Sequence, residues 1–389
     1  MSLVFKELGE LVDFKGGGTP SRNVEEYWDN SIPWATVKDL NEGITLTQTQ
    51  EFISELGLKN SASNLITKGT IIIPTRMALG KVVISEIDVA INQDLKAVSV
   101  KDKEKLDVKY LLRFLESYKE NIASMGKGAT VKGITLDQLK AIKVPLPPLA
   151  AQRRIASILD QADELRQKRQ QAIEKLDQLL QATFIDMFGD PVDNLKALQT
   201  VALLDLCKKV TDGTHQSPKW TTEGIPFLFI SNIVDGEIDY SSQKFIDQAT
   251  YDSLTKSTKI ELNDILYTTV GSYGNVARVK SDQLFCFQRH IAHIKPNLDK
   301  VNPKFLEKML SSNGIRRQAD RLVRGVAQKT LNLKDLKEII VFNIPLDKQN
   351  HFVQKCEVIE SLKIKSKLAL NQSDDLFKSL QNQAFSGNL

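Results

Sequence analysis

After Pro147-Pro148, the residues Ile155, Ile158, Ala162, Leu165, Ala172, Leu176 and Leu179 recur at alternating steps of three and four, with Arg169 interrupting. That spacing predicts a long helix with a narrow coiled-coil seam. Proline is not tolerated inside a helix, so the pair at 147–148 sets its start, and Gly189 with Pro191 sets its end. Its other face is polar: Arg166, Gln167, Lys168, Gln170, Gln171, Glu174 and Lys175. A second, weaker seam runs through Phe352, Ile359, Leu362, Ala369, Leu376 and Leu380 to Ser386-Gly387, with Lys355, Ser366 and Ser373 in core slots. The first helix would be about 55–60 Å long. Neither apolar stripe is wide, so each helix needs a partner, and the expected partner is the other, antiparallel. Their predicted interface is Ile155, Ile158, Ala162, Leu165, Leu176 and Leu179 against Phe352, Ile359, Leu362, Leu376 and Leu380.

Outside these helices the period shortens. Residues 70–74, 82–84, 227–230 and 265–268 are brief apolar runs that predict strands, while 111–122 and 305–323 predict helices. Glycines at 16–18, 126, 128, 213, 271 and 274 punctuate the loops. The content is α+β, and it is written twice. Gly18-Thr19-Pro20 is answered by Gly213-Thr214-His215, Ile32-Pro33-Trp34 by Ile225-Pro226-Phe227, and Gln93 by Gln288. Lys68 to Ile73 is answered by Leu262 to Tyr267, and Tyr110 to Leu115 by Phe305 to Leu310. The closing stretch from Lys132 to Ile142 parallels Lys329 to Ile339, and Pro148-Leu149-Ala150-Ala151-Gln152 parallels Pro345-Leu346-Asp347-Lys348-Gln349. The offset stays between 193 and 197, which chance matches would not hold. The expected architecture is therefore two duplicated α/β domains, 1–148 and 191–345, separated by two long antiparallel coiled-coil helices, 149–190 and 346–389, in a pseudo-two-fold arrangement.

Composition narrows the function classes. Hydrophobic residues at 41% and charged residues at 26% are globular values. The net charge of +4, from 52 Lys and Arg against 48 Asp and Glu, is too mild to argue for nucleic acid unless the charges cluster. Cys207, Cys286 and Cys356 include no C-x-x-C pair and predict reduced buried thiols. The N-terminus has no basic region before an apolar core, and no apolar run reaches bilayer length, so a soluble cytoplasmic protein without membrane contact is expected.

The chain carries none of the common catalytic motifs. Gly80-Lys81 lacks the rest of a phosphate loop, Gly16-Gly17-Gly18 opens no helix after a strand, and no [ND]-P-P-[YF] or G-x-G-x-x-G run is present. His290 and His293 lie three apart without further ligands at metal-binding spacing, and His215 and His351 stand alone, so no metal is expected. What remains is polar loop chemistry suited to DNA. In the first domain it is Thr19, Ser21, Arg22, Lys38, Arg76, Lys81, Gln93, Lys127 and Lys132. In the second it is His215, Gln216, Ser231, Asn232, Ser272, Tyr273, Arg289, His290, Arg324, Gln328 and Lys329. Arg, Asn and Gln make bidentate contacts to purine edges, while Lys, Ser and Thr favour phosphates.

Gly-Thr-His-x-x-Pro at 213–218, Gly-Ile-Pro-Phe at 224–227, Ser231-Asn232-Ile233 and Asn263-Asp264-Ile265-Leu266 resemble the target-recognition domains of type I restriction–modification specificity subunits. So do Pro-Leu-Pro-Pro-Leu-Ala-Ala-Gln-Arg at 145–153, Met-Phe-Gly-Asp-Pro at 187–191 and the terminal Phe385-Ser386-Gly387-Asn388-Leu389. The first domain departs from the second, with Pro20 where the other has His215 and Trp34 where it has Phe227. The resemblance implies a non-catalytic subunit in which each domain reads half of a bipartite DNA site and the helices fix the spacer. It implies two methyltransferase subunits as partners, with S-adenosylmethionine carried by them, and motor-nuclease subunits for cleavage. Two rivals stand beside it: a fused methyltransferase or nuclease, whose cofactor or metal motif is not visible, and a coiled-coil scaffold that binds DNA without sequence specificity.

Overall fold

The computed structural model describes residues 4–29, 31–40, 43–128, 132–215, 217–256, 259–325 and 328–389. They group into two compact units, Met1–Gln170 with Leu368–Leu389, and Gln171–Lys367. Each unit holds one α+β domain and part of both long helices, the central helix Leu149–Phe188 and the C-terminal helix Leu346–Ser386. Among the described residues no helix is long and apolar enough to cross a membrane.

The main sheet of the first unit orders its strands Val12–Gly16, Leu95–Val100, Ile71–Pro74, Val83–Ser85, Thr45–Leu46. The second unit repeats the first four as Cys207–Asp212, Ile291–Pro296, Ile265–Thr268, Val276–Arg278. A smaller sheet in each unit contains one parallel pair, Ile32–Ala35 on Val89–Ile91 and Ile225–Leu228 on Cys286–Phe287. The duplication thus holds at the level of strand order and direction.

The short apolar runs are buried on both faces, which explains why they do not alternate. Ile71 and Ile73 enter one core and Ile72 another. In the second unit Ile265 and Tyr267 enter one core and Leu266 another. The helix expected over 111–122 is two, Val108–Ser117 and Lys119–Ser124, and that over 305–323 is also two, Pro303–Leu310 and Asn313–Leu322. In the second case Ser312 starts a new helix, its hydroxyl accepting from the Ile315 amide at 3.5 Å.

Within each unit the long helices run antiparallel. In the first, Arg166 Nε donates to Asp374 Oδ1 at 2.6 Å and Arg169 donates to the Ala369 carbonyl. In the second, Lys363 pairs with Asp177, and Phe352 packs edge-on against Phe184 and Phe188. The seam differs from the expected one. Ile155, Leu159, Asp163, Ile173, Phe184 and Phe188 are buried on the central helix, and Phe352, Cys356, Ile359, Ser373, Phe377 and Ala384 on the other. Ile158, Ala162, Leu176 and Leu380 are half-buried. Leu165, Leu179, Leu362 and Leu376 are corrected: they are 46%, 48%, 47% and 56% exposed. The contacting row passes through charged positions, where Arg166 and Arg169 bond across to the other helix. Counting apolar residues alone therefore follows the neighbouring row.

Candidate nucleic-acid interface

Three strand ends of each main sheet open on the same side, and a fourth loop is laced to them by main-chain bonds. In the first unit Gly18 N donates to Ile91 O at 3.0 Å and Thr75 N to Asp94 O at 2.7 Å. Ile134 N then donates to Thr75 O at 2.9 Å, Met77 N to Lys132 O at 3.2 Å, and Lys127 and Gly133 exchange both bonds at 2.9 Å. The second unit makes the same bonds: Thr214 to Phe287 at 3.1 Å, Thr269 to His290 at 2.9 Å, Leu331 to Thr269 at 2.8 Å, and Gly271 to Lys329 at 2.9 Å. Arg324 and Thr330 close it, at 2.9 and 2.8 Å. Each unit thereby carries a ledge built by one backbone plan.

The plan also corrects the sequence register. A Cβ on Gly17 would strike the Ile91 carbonyl, and one on Gly213 the equivalent Phe287 carbonyl. Gly17 is therefore the counterpart of Gly213, so Thr19 rather than Pro20 stands opposite His215. By the same bonds Asp94 matches His290, so Gln93 stands opposite Arg289, not Gln288.

The first ledge brings together the exposed side chains of Thr19, Arg76, Gln93, Lys127 and Lys132, with Ser21 exposed beyond Thr19. Thr19 Oγ1 donates to Gln93 Oε1 at 2.5 Å, and Arg76 Nη1 lies 4.0 Å from Asp94 Oδ1. Lys96, which sequence reading passed over, is half-buried behind them and donates to Gln93 O at 3.1 Å. Burial lowers its ammonium pKa, against Asp94, which raises it. Its only sequence signal is a cation within the apolar strand Leu95–Val100.

The second ledge presents His215, Ser272, Arg289, Arg324, Gln328 and Lys329, all exposed. His215 Nε2 sits 2.9 Å from Asp212 Oδ2, and Arg324 Nη2 is 4.0 Å from Asp335. His290 is half-buried, and burial followed by the Arg289 charge lowers its imidazole pKa, favouring the neutral form. Lys38 and Ser231 occupy equivalent exposed positions in a turn closed by Asp39 in one unit and Asn232 in the other, each accepting from the main-chain amide three residues earlier at 2.7 and 2.8 Å.

Four of the expected DNA-contacting side chains have partners within their own unit; Asn232 and Tyr273 are buried, whereas Lys81 and Arg22 stay exposed. Asn232 is 8% exposed and donates to Asp239 O at 2.9 Å and Ser241 O at 2.7 Å. Tyr273 is 4% exposed, its hydroxyl 2.6 Å from Asp320 and its ring under Arg316. Lys81 Nζ donates to Leu40 O at 2.5 Å, where Asn275 of the second unit donates to Ile233 O at 2.9 Å. Arg22 forms a two-pronged pair with Glu51 at 2.7 and 2.8 Å and lies over Trp28 at 3.7 Å. Gln216 lies outside the described residues.

Among the described residues no group of three or more His, Cys, Asp or Glu is placed to hold a metal ion. His293 is buried and bonded to Asp264 at 2.7 Å. Burial pushes the Cys207, Cys286 and Cys356 thiols up to about 12, 11 and 12, away from nucleophilic use.

A twice-built α+β domain with a polar loop ledge in each copy, joined to long helices, defines a duplicated recognition module. A family model of the type I restriction modification DNA specificity domain matches residues 3–175 and 196–372, once per repeat, and the chain belongs to that family. It is 28% identical over 263 residues to the type I restriction enzyme MjaIX specificity subunit of Methanocaldococcus jannaschii, covering 62% of this chain and 60% of that one. It is 28% identical over 329 residues to the EcoBI specificity subunit of Escherichia coli, covering 77% and 69%. The matches thus span about two thirds or less of the lengths of these relatives. The fold is that of the S subunit of a type I restriction–modification system from M. genitalium, with a TM-score of 0.55 at 16% identity over 99% of this chain and 96% of that one.

Proposed function

We propose that this chain is the non-catalytic, sequence-reading subunit of a type I restriction–modification complex. Each ledge reads one half of a bipartite, asymmetric site in double-stranded DNA. Two methyltransferase subunits, which bring S-adenosylmethionine, and the motor-nuclease subunits are its partners, and the complex works where the chromosome is, in the cytoplasm. One observation carries the reading: the two ledges share every main-chain bond described above but differ in nearly every exposed side chain. A frame held constant while its readout residues vary is what two half-sites of different sequence require. Arg289 and Gln93, at one equivalent position, have the groups that address purine edges in the major groove. Lys127, Lys132, Arg324 and Lys329 surround them with cations suited to phosphates.

The test is a methylome. The chain is co-expressed with its methyltransferase subunit in a host lacking adenine methylation. A single bipartite methylated motif that vanishes when this chain is omitted is the expected result. Methylation without a motif, or none from a folded complex, would hand the lead to a scaffold without specificity.

A further inference from the structure

Each recognition domain is fastened to the helix that leaves it by a relay of charges, and the two relays are counterparts. In the first unit Arg113, on helix Val108–Ser117, is 3% exposed. Its Nε donates to Asp160 Oδ1 at 2.8 Å and its Nη1 to Asp163 Oδ2 at 3.1 Å, both on the central helix. Lys109, one turn earlier, reaches Asp160 at 3.4 Å. Asp163 also accepts from Arg166 at 3.0 Å, and Arg166 crosses to Asp374 of the C-terminal helix while lying over the buried Phe377 ring.

In the second unit the same places hold different residues of the same charge. Lys304 and Lys308, on helix Pro303–Leu310, reach Glu360 at 2.7 and 3.1 Å, and Lys304 also approaches Glu357 at 3.9 Å. One turn on, Lys363 pairs with Asp177 of the central helix; here the Lys304–Lys308–Glu360 cluster and the Lys363–Asp177 pair are separate links, which Asp163 joins in the first unit. Lys109, Arg113, Asp160, Asp163, Arg166 and Asp374 thus correspond to Lys304, Lys308, Glu357, Glu360, Lys363 and Asp177, at the offset of the duplication. Only Lys109 and Asp374 keep their identity; the charges keep their sign throughout.

Buried ion pairs contribute little net stability, because desolvation offsets the attraction, whereas apolar residues would pack such a joint at least as well. What a cation shared among acids of two elements does supply is a fixed direction: Arg113 lies on Glu116, Asp160 and Asp163, and Lys304 and Lys308 converge on Glu360. We infer that the two relays are positioning devices that set the angle at which each recognition domain leaves the helix pair, and so hold the complex to one spacer length. The inference rests on the function proposed above.

It is tested in the whole complex by methylome, with Arg113→Met and Lys308→Met cutting the domain end of each relay. Asp374→Asn and Asp177→Asn, at half-exposed side chains on the far end, cut it without emptying a buried site. Expected is a single motif from the unaltered chain, and from the variants both half-sites intact but methylation spread onto neighbouring spacers. The preference for the original spacer should fall by about tenfold, within the coupling measured between contacting side chains. Arg113→Lys, which borrows the second unit's cation, should restore most of the preference. A single unchanged spacer in the Asn variants overturns the inference, and if either Met variant is insoluble the Asn variants alone decide it. Absence of a bipartite motif from the unaltered chain would instead sink the function itself.

Discussion

The two ledges are the same object built from different residues. Where the main chain passes closest to itself the sequence cannot vary: Gly17 and Gly213 both lie against a carbonyl that would collide with any Cβ. One bond further out, the residue is free: Thr19 is replaced by His215, Gln93 by Arg289 and Lys127 by Arg324. Met77 and Gly271 sit between these extremes, both at φ +65°, a left-handed backbone that glycine adopts without strain and methionine does not. The contrast teaches that duplication preserves what the backbone demands and the sign of the charges that join each domain to its helix, and leaves side chains facing solvent to diverge.

The comparison can be broken at several levels. Gly17→Ala and Gly213→Ala should each cost ~3 kcal/mol or more, since backbone rather than a flexible side chain must move. Gly69→Ala, at positive φ but with no atom within 4 Å of the added carbon, should cost only ~1 kcal/mol. Equal losses in denaturant melts would remove the close-approach argument. Along the helices, Leu159→Ala should cost ~3 kcal/mol and Leu165→Ala under ~0.5 kcal/mol, because the first is buried and the second is 46% exposed; the reverse order would restore the apolar-only seam. Lys329→Ala should weaken DNA binding for all sequences alike and lower the salt slope by about 1, as a lost phosphate contact does. A change of sequence preference instead would make Lys329 a base reader. Met77→Gly is expected to stabilise by ~0.5 kcal/mol as strain outweighs added chain entropy. A loss would mean that Met77 is held by contacts beyond its backbone.

Inserting about four residues within 167–171 adds ~6 Å of helix, close to two base-pair steps of ~3.4 Å. The spacer in the methylated motif should lengthen with both half-sites kept, and an unchanged spacer would end the ruler role of the helices.

Much of this was legible in the sequence, because a duplicated chain carries its own control. Strand runs, the Pro147-Pro148 boundary and the long helices all follow from period and punctuation. The register at the first ledge slipped by one because the Gly-Thr string at 18–19 matches Gly213-Thr214, whereas the collision that fixes the alignment involves Gly17 and is visible only in three dimensions. The helix seam slipped because Asp163, Arg166 and Arg169 face inward, which no apolar count detects. Asn232 and Tyr273 have the chemistry of readers, but one closes a turn and the other packs under Arg316. Arg22 and Lys81 have the charge of readers but bond within their own unit. Residue type states what a side chain can do, and only its surroundings decide what it is left free to do.

The most direct test of the central claim is the methylome of the complex carrying Arg289→Gln, which gives the second ledge the residue of the first. Two independent ledges on a common frame predict that one half-site changes or loses specificity at one position, while the other half-site and the spacer stay as they were. Alteration of both half-sites, or full methylation of the original motif, would contradict it.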